Sequence, residues 1–181
     1  TYQIAANGVA QSIWSLAALV GSAMGPVFIT VIGQCMGAKN VDQAKFYFSK
    51  LIKWSLVFSI VWNLLGLAIT PFILQFYNLA DETKHLIIIL VIIHNIANTV
   101  VFPLSGPLSQ GLRATGDVKF TMIVSIASTV GGRLVLSIIL ALGLHLGVIG
   151  IALAMCGDWT IRAIIFYYRY KSNAWTKFEV I

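Results

Sequence analysis

The stretch VGSAMGPVFITVIGQCMGAKNVDQAK, Val20 to Lys45, sets Gly21 four residues before Gly25, Pro26 directly after it, and Gly33 four residues before Gly37. It then turns abruptly to Lys39 and Lys45. A run this apolar, carrying so many helix-weakening residues, needs an environment that explains both features. Of the 181 residues 59% are hydrophobic and 10% charged, with a mean hydropathy of +0.89. A soluble domain is about half apolar and a quarter charged, so this chain is read as residing in a bilayer.

The net charge of +6 does not imply nucleic-acid binding. Lysines and arginines fall mostly between long apolar runs and form no water-exposed basic face. Cys35 and Cys156 lie far apart without CxxC or Cys/His spacing, so neither a disulfide nor a zinc site is expected. They read as small core residues. The opening TYQIAANG lacks an initiator methionine and the basic region of a signal peptide, which suggests a start partway through a longer protein.

Crossing ~30 Å of hydrocarbon takes about 20 helical residues. Largely uncharged stretches of that length occur near 4–32, 54–76, 86–111, 120–144 and 147–168. They predict an all-α, polytopic bundle with helices over about 4–32, 50–76, 84–111, 118–144 and 147–170 and a tail over 171–181. Unbroken runs such as LIIILVII, Leu86 to Ile93, exclude a porin-like barrel, whose strands alternate.

Alternate connections carry Lys39, Lys45, Lys50 and Lys53, then Arg113 and Lys119, then Arg169, Lys171 and Lys177. The other side has Lys84 beside Asp81 and Glu82, and LGLHLG, Leu142 to Gly147, has no lysine or arginine. By the positive-inside rule the basic loops and the C-terminus are expected in the cytoplasm and Thr1 outside. Arg133 and Arg162 remain within spans.

Helices in lipid gain little by hiding apolar side chains, so close approach through small residues takes over. Gly21/Gly25 and Gly33/Gly37 each predict such a packing face, turned about 120° from one another. Pro26 removes a backbone donor and is expected to bend its helix. The other reading of these glycines is tight static packing.

The whole string carries more than its glycines. GxxxGP followed by VIGQCMGAKNVDQAK resembles the second helix of a six-helix half in the MATE (multidrug and toxic compound extrusion) transporters. LSQGLRATGDVKF, Leu108 to Phe120, resembles the cytoplasmic connection between the fourth and fifth helices of such a half. GDWTIRAIIFYYRYKSNAW, Gly157 to Trp175, is similar to the closing helix and basic tail of bacterial members. The resemblance runs from about Ala6 to Trp175 and makes Gly33, Gln34, Gly37, Ala38, Arg113, Gly116 and Asp117 the motif-bearing loop residues. It implies two six-helix lobes facing across a cleft that binds drugs and a coupling cation, Na+ or H+. This chain would then be the last five helices of the C-terminal lobe, completed by an N-terminal lobe in the same chain or a partner. The implied setting is the plasma membrane, with small organic substrates, no cofactor and no resident metal.

Charges inside spans are the strongest chemical signal, since each costs at least ~2.5 kcal/mol at a helix centre and usually faces protein or a wet cavity. Arg133 lies ~21 Å from the cytoplasmic start of its helix, and Asp158 ~18 Å from the cytoplasmic end of the next. These depths predict an Arg133/Asp158 contact, with Arg162 one turn beyond Asp158 on the same face. The cluster reads either as an ion pair locking helix packing or as a cleft-facing site for an anion or a proton relay. One carboxylate for two guanidiniums leaves a positive charge, which is awkward for a cationic drug.

Asn95 and Asn98 share a helical face and His94 adjoins Asn95, a set suited to interhelical hydrogen bonds or to offering oxygens to a cation. Pro103 and Pro107, flanking Ser105 and Gly106, predict a bent or unwound segment that exposes carbonyls. The chain departs from the family in one respect. Many members place an acid about a dozen positions before the arginine of the LRATGD-like string, where this chain has Phe102. A cation-binding carboxylate is therefore absent from that helix. Arg113 and Asp117, four apart, are expected to pair or cap helix ends, and Gln34 to shape its loop. Trp14, Trp54, Trp62, Trp159 and Trp175 include interfacial anchors or deep packing residues.

The family resemblance implies a cation-coupled antiporter exporting organic, often cationic, compounds, whereas hydropathy by itself reads only as a helical membrane protein. The alternatives are a lipid-linked saccharide flippase, favoured by Arg133 and Arg162, and a membrane scaffold. An enzyme is not expected, because HExxH, GxSxG and paired intramembrane aspartates are missing.

Overall fold

The computed structural model describes residues 2–77 and 79–178, and among them it contains no strand and five helices long and apolar enough to cross a bilayer. Thr1 and the end of the expected tail, 179–181, lie outside the described residues.

The predicted first helix, 4–32, is two: α1, Tyr2–Ala17, and α2, Leu19–Gly37. The discontinuity falls at Ala18 and not at Pro26, through which α2 runs. Just before it the Trp62 indole N–H donates to the Leu16 carbonyl at 2.9 Å, a side chain entering the backbone ladder, which is a known cause of helix breaks. α3, Val41–Gln75, begins well before the expected residue 50, because the Asn40 side chain accepts the Gln43 N–H and Asp42 occupies the first turn. Its 35 residues span ~52 Å, so Lys45, Lys50 and Lys53 sit on a helical extension instead of a loop.

α4, Asp81–Ser105, and α5, Pro107–Ala114, meet at Gly106, where the paired prolines predicted a break. α6, Val118–Ala127, passes into a π-helical turn at Ser128–Leu134, a short α7 at Val135–Ile138 and a second π turn at Ile139–Gly143. α8, Gly147–Lys171, leads to a 3-10 turn at Ala174–Lys177. The tail is not free: Trp175 is fully buried, its ring 4.9 Å from that of Phe48 and its indole N–H on the Tyr170 carbonyl at 3.1 Å.

α1 and α2 run parallel to α4 and α5: Ala6 and Ile87 share one apolar cluster, Trp14 lies against His94 and Gly21 against Phe102. α8 runs the same way, with Cys156 reaching the Ile93 carbonyl, while α3 and the α6–α7 helix run opposite. Three clusters fill the interior: one at the basic end around Phe28, Phe48, Leu112 and Trp175, one at the far end around Ala10, Ile87 and Leu90, and a middle group of Ala97, Met155 and Trp159.

The patterning of α3 is inverted relative to a soluble helix. Ser55, Ser59, Asn63 and Thr70 face inward, whereas Trp54, Phe58, Val61, Leu64 and Phe72 are exposed. Lipid accepts the large apolar side chains, and small or polar ones let helices approach and bond. Gly150 shows the same logic: a Cβ there would stand 2.7 Å from backbone atoms of Leu140 and Ala141, so only glycine admits this contact between α8 and the second π turn.

Candidate functional site

The intramembrane charges separate into two settings. Asp158 is 0% exposed; it accepts from the Ser128 hydroxyl and the Arg162 guanidinium, and Ser128 also reaches the Asp158 carbonyl at 3.3 Å. The expected Arg133/Asp158 contact is absent. Arg133 Nη2 instead lies 3.1 Å from Met155 Sδ, and among the described residues no acidic side chain pairs with it. Depth counted from helix ends misplaced the antiparallel register by about a turn. Ser128 faces Asp158, which sends Arg133 toward the far end. The π turn at Ser128–Leu134, holding both residues, departs from the regular ladder that such counting assumes.

His94, Asn95 and Asn98 are all buried on α4, yet they bond differently. Asn98 Nδ2 donates across to Asn63 Oδ1 at 3.1 Å, and Asn63 Nδ2 to the Ser59 carbonyl at 2.8 Å. Asn95 Nδ2 folds back on the Val91 carbonyl at 3.0 Å, and His94 Nδ1 lies 2.8 Å from the Leu90 carbonyl, which assigns the proton to Nδ1. Among the described residues, four buried atoms in this region have no protein partner: Trp14 Nε1, His94 Nε2, Asn95 Oδ1 and Asn98 Oδ1. Ser59, Asn63 and Ser128 were missed from sequence. The four-residue spacing of Ser55, Ser59 and Asn63 within an apolar run was the available signal.

Phe102, the position at which the resemblance led to the expectation of an acid, lies in an aromatic group. Its ring packs edge-on to Trp159 at 5.4 Å, and Trp159 stacks on Trp14 at 5.6 Å. Beside this group, Gly21, Gly25 and Pro26 meet Phe102, Gly106, Pro107 and Gln110 around a cavity of about 250 Å³. Two proline-marked stretches of parallel helices therefore lie side by side. The segment expected to be bent or unwound leaves the helix only at Gly106, and carbonyls there are taken: the Phe102 carbonyl accepts the Gly106 N–H and the Ser105 hydroxyl, and the Gly106 carbonyl accepts the Gln110 N–H and the Ser109 hydroxyl. Pro103 is buried within α4 and Pro107 opens α5.

Gly33 and Gly37 do not form the expected packing face, since a Cβ at either meets nothing within 4 Å. They lie on the last turns of α2, beyond its close approach to α4. Gln34 and Ala38 are exposed at the rim of a cavity of about 350 Å³ at the basic end, and Lys39, with φ 56°, takes the left-handed turn position. Arg113 and Asp117 do not pair. Asp117 accepts from Arg169 Nε at 2.7 Å and Nη2 at 3.3 Å, while Arg113 Nε donates to Thr121 Oγ1 at 3.3 Å. Asp117 makes no side-chain cap on α6; Gly116, with φ 95°, turns the chain ahead of it. A cavity of about 690 Å³ lies at the opposite end, lined by Tyr2, Asp81, Glu82 and His85, away from these intramembrane groups. Among the described residues no group of three His, Cys, Asp or Glu is arranged to hold a metal ion.

The family model described as MatE matches residues 1–139, which include Arg133 and the polar group on α4 but not Asp158 or Arg162. The uncharacterized transporter YisQ of Bacillus subtilis (strain 168) is 26% identical over 171 residues. That similarity takes in 91% of this chain and 36% of YisQ, so the chain spans about a third of the length of that relative.

Proposed function

The chain belongs to the MatE family, and on that premise we propose that it is the C-terminal lobe of a secondary transporter exporting organic, often cationic, compounds by alternating access against an inward-moving cation. The carrying observation beside family membership is Asp158, fully buried at mid-span and bonded both across to Ser128 and along its own helix to Arg162. Adding a proton or cation to this carboxylate weakens its hold on Arg162 and on Ser128 of the facing π turn, which gives the ion a grip on helix packing. Na+ and H+ both suit this role. The opposing lobe comes from the same polypeptide or from a partner, the membrane is the plasma membrane, and the basic end faces the cytoplasm.

The test is efflux of a fluorescent cationic dye from cells expressing the full-length protein, with and without a Na+ or H+ gradient, for wild type and Asp158→Asn. Gradient-driven export lost in the variant at normal membrane abundance supports the reading. Export indifferent to both gradients rejects antiport.

A second reading rests on Arg133, whose guanidinium has no acidic partner among the described residues. A positive charge left over at mid-span favours an anionic cargo such as a lipid-linked saccharide. Absence of dye export together with translocation of such a lipid in vesicles would select it.

A further inference from the structure

The first turns of α3 carry charge that no described residue neutralises. Lys45, Lys50 and Lys53 are exposed, and among the described residues no acid lies within ion-pair distance of any of them. The one acid of α3, Asp42, stands ~12 Å before Lys50 along the axis. From Trp54 to the end of α3 no side chain is charged, so Lys53 marks the edge of the hydrocarbon and Lys50 lies ~4.5 Å beyond it. That is within the layer of about 5–7 Å that headgroups occupy on each side of a bilayer. The two lysines sit three residues apart on one helical face, and the same face continues into the apolar layer as Trp54, Val57, Val61 and Leu64, all exposed. Lys45 stands off this column, turned about 110° from the middle of the pair by the helical period. Lys50 Nζ lies over the Phe46 ring, 5.4 Å from its centroid, and Trp54 stacks on Phe58 at 5.4 Å. A cation–π contact steadies the ammonium but leaves it charged, with N–H groups still able to donate.

We propose that this column binds one anionic phospholipid of single net negative charge, its phosphate between Lys50 and Lys53 and an acyl chain along Val57, Val61 and Leu64. Charge and depth together decide the occupant. A lipid phosphate stands at the level of these lysines in any bilayer, and two ammonium groups there answer its charge with charge-assisted hydrogen bonds. A zwitterionic phospholipid brings its own cation to the same place and gains less. A covering protein would have to deliver an acid to the hydrocarbon edge. Every side chain of the column is on the surface, so the lipid reaches it without rearrangement. The site lies apart from Asp158 and does not depend on the transport reading.

The test is photolabelling of the full-length protein in phosphatidylcholine nanodiscs. These are doped either with a phosphatidylglycerol carrying a diazirine midway along one acyl chain or with a phosphatidylcholine carrying the same chain. Adducts are mapped by mass spectrometry as a share of all labelling on the chain. The expected result is labelling within residues 57–64 about fivefold higher with the phosphatidylglycerol, the factor that one lysine near an anionic headgroup supplies. Replacing both lysines, Lys50→Gln with Lys53→Gln, should bring the two probes level. Lys50→Arg with Lys53→Arg should keep the preference, and so should Lys45→Gln. Equal labelling in wild type, a preference that survives the double glutamine variant, or one lost equally in Lys45→Gln would overturn the proposal. So would a stretch 57–64 that neither probe labels, which would mean that another lobe or subunit covers the face. The wild-type comparison decides the matter should a variant fail to reach the membrane.

Discussion

Asp117 and Arg169 stand 52 residues apart in sequence and form a two-pronged ion pair, 2.7 and 3.3 Å, that ties the start of α6 to the end of α8. The Arg169 guanidinium also lies 4.4 Å from the centroid of the Phe120 ring. Asp117 is 2% exposed and Arg169 25%, so the pair is only partly screened by water. Asp117→Asn is expected to destabilise by about 2 kcal/mol, between the values for exposed and fully buried pairs. Thermal unfolding in detergent checks it. An Asp117→Arg, Arg169→Asp double variant more stable than the sum of its single changes would show that the two residues act on each other.

Trp175 is the keystone of the basic end. Its removal in Trp175→Ala opens a cavity against Phe48 and is expected to cost about 3–5 kcal/mol. Limited proteolysis from the basic side should then cut near residues 172–178 much faster than in wild type. Unchanged cutting would mean that the tail docks without this ring.

At mid-span the two arginines are expected to behave unlike each other. Arg162→Met strands the buried Asp158 carboxylate and should cost about 3–5 kcal/mol, whereas Arg133→Met breaks no acidic pair and should cost well under half as much. Ser128→Ala should cost about 1.5–3 kcal/mol, the value of a hydrogen bond to a charged group. Equal losses for the two arginines in a thermal-shift series would contradict the register described above.

The two glycine pairs make a contrast. Gly21→Ala places a methyl 2.8 Å from the Phe102 ring and should destabilise by about 1–3 kcal/mol, with relief on adding Phe102→Leu. Gly33→Ala meets open space within a helix and should stabilise by up to about 1 kcal/mol. The same denaturation assay reads both.

The Asn98–Asn63 bond joins α4 to α3 inside the bilayer region. A double-mutant cycle with Asn98→Ala and Asn63→Ala should return a coupling of about 0.6–1.7 kcal/mol, the range for hydrogen bonds between membrane helices. A value near zero would place the interaction among the replaceable ones.

The family, the five long helices and the break at Gly106 were all legible in the sequence. Long apolar runs leave a bilayer chain no alternative to helix, and prolines and glycines act on the backbone wherever they stand. The grouping of His94, Asn95 and Asn98 on one helix was equally accessible, since it depends only on the helical period. Partner choice was not. Asp117 had Arg113 four residues away and took Arg169; Asp158 had Arg133 at a similar depth and took Ser128. Local spacing says which residues share a face, but which neighbour comes to that face depends on the register of separate helices. That register was set by close approaches such as Gly150 on Leu140 and by a π turn no propensity announces. The break at Ala18 has the same origin, an indole supplied by α3. Sequence thus determined that the chain spans a membrane and where its helices weaken, because those properties belong to each segment alone. Tertiary structure decided which charges meet and which polar atoms remain unmet, because those belong to pairs of segments.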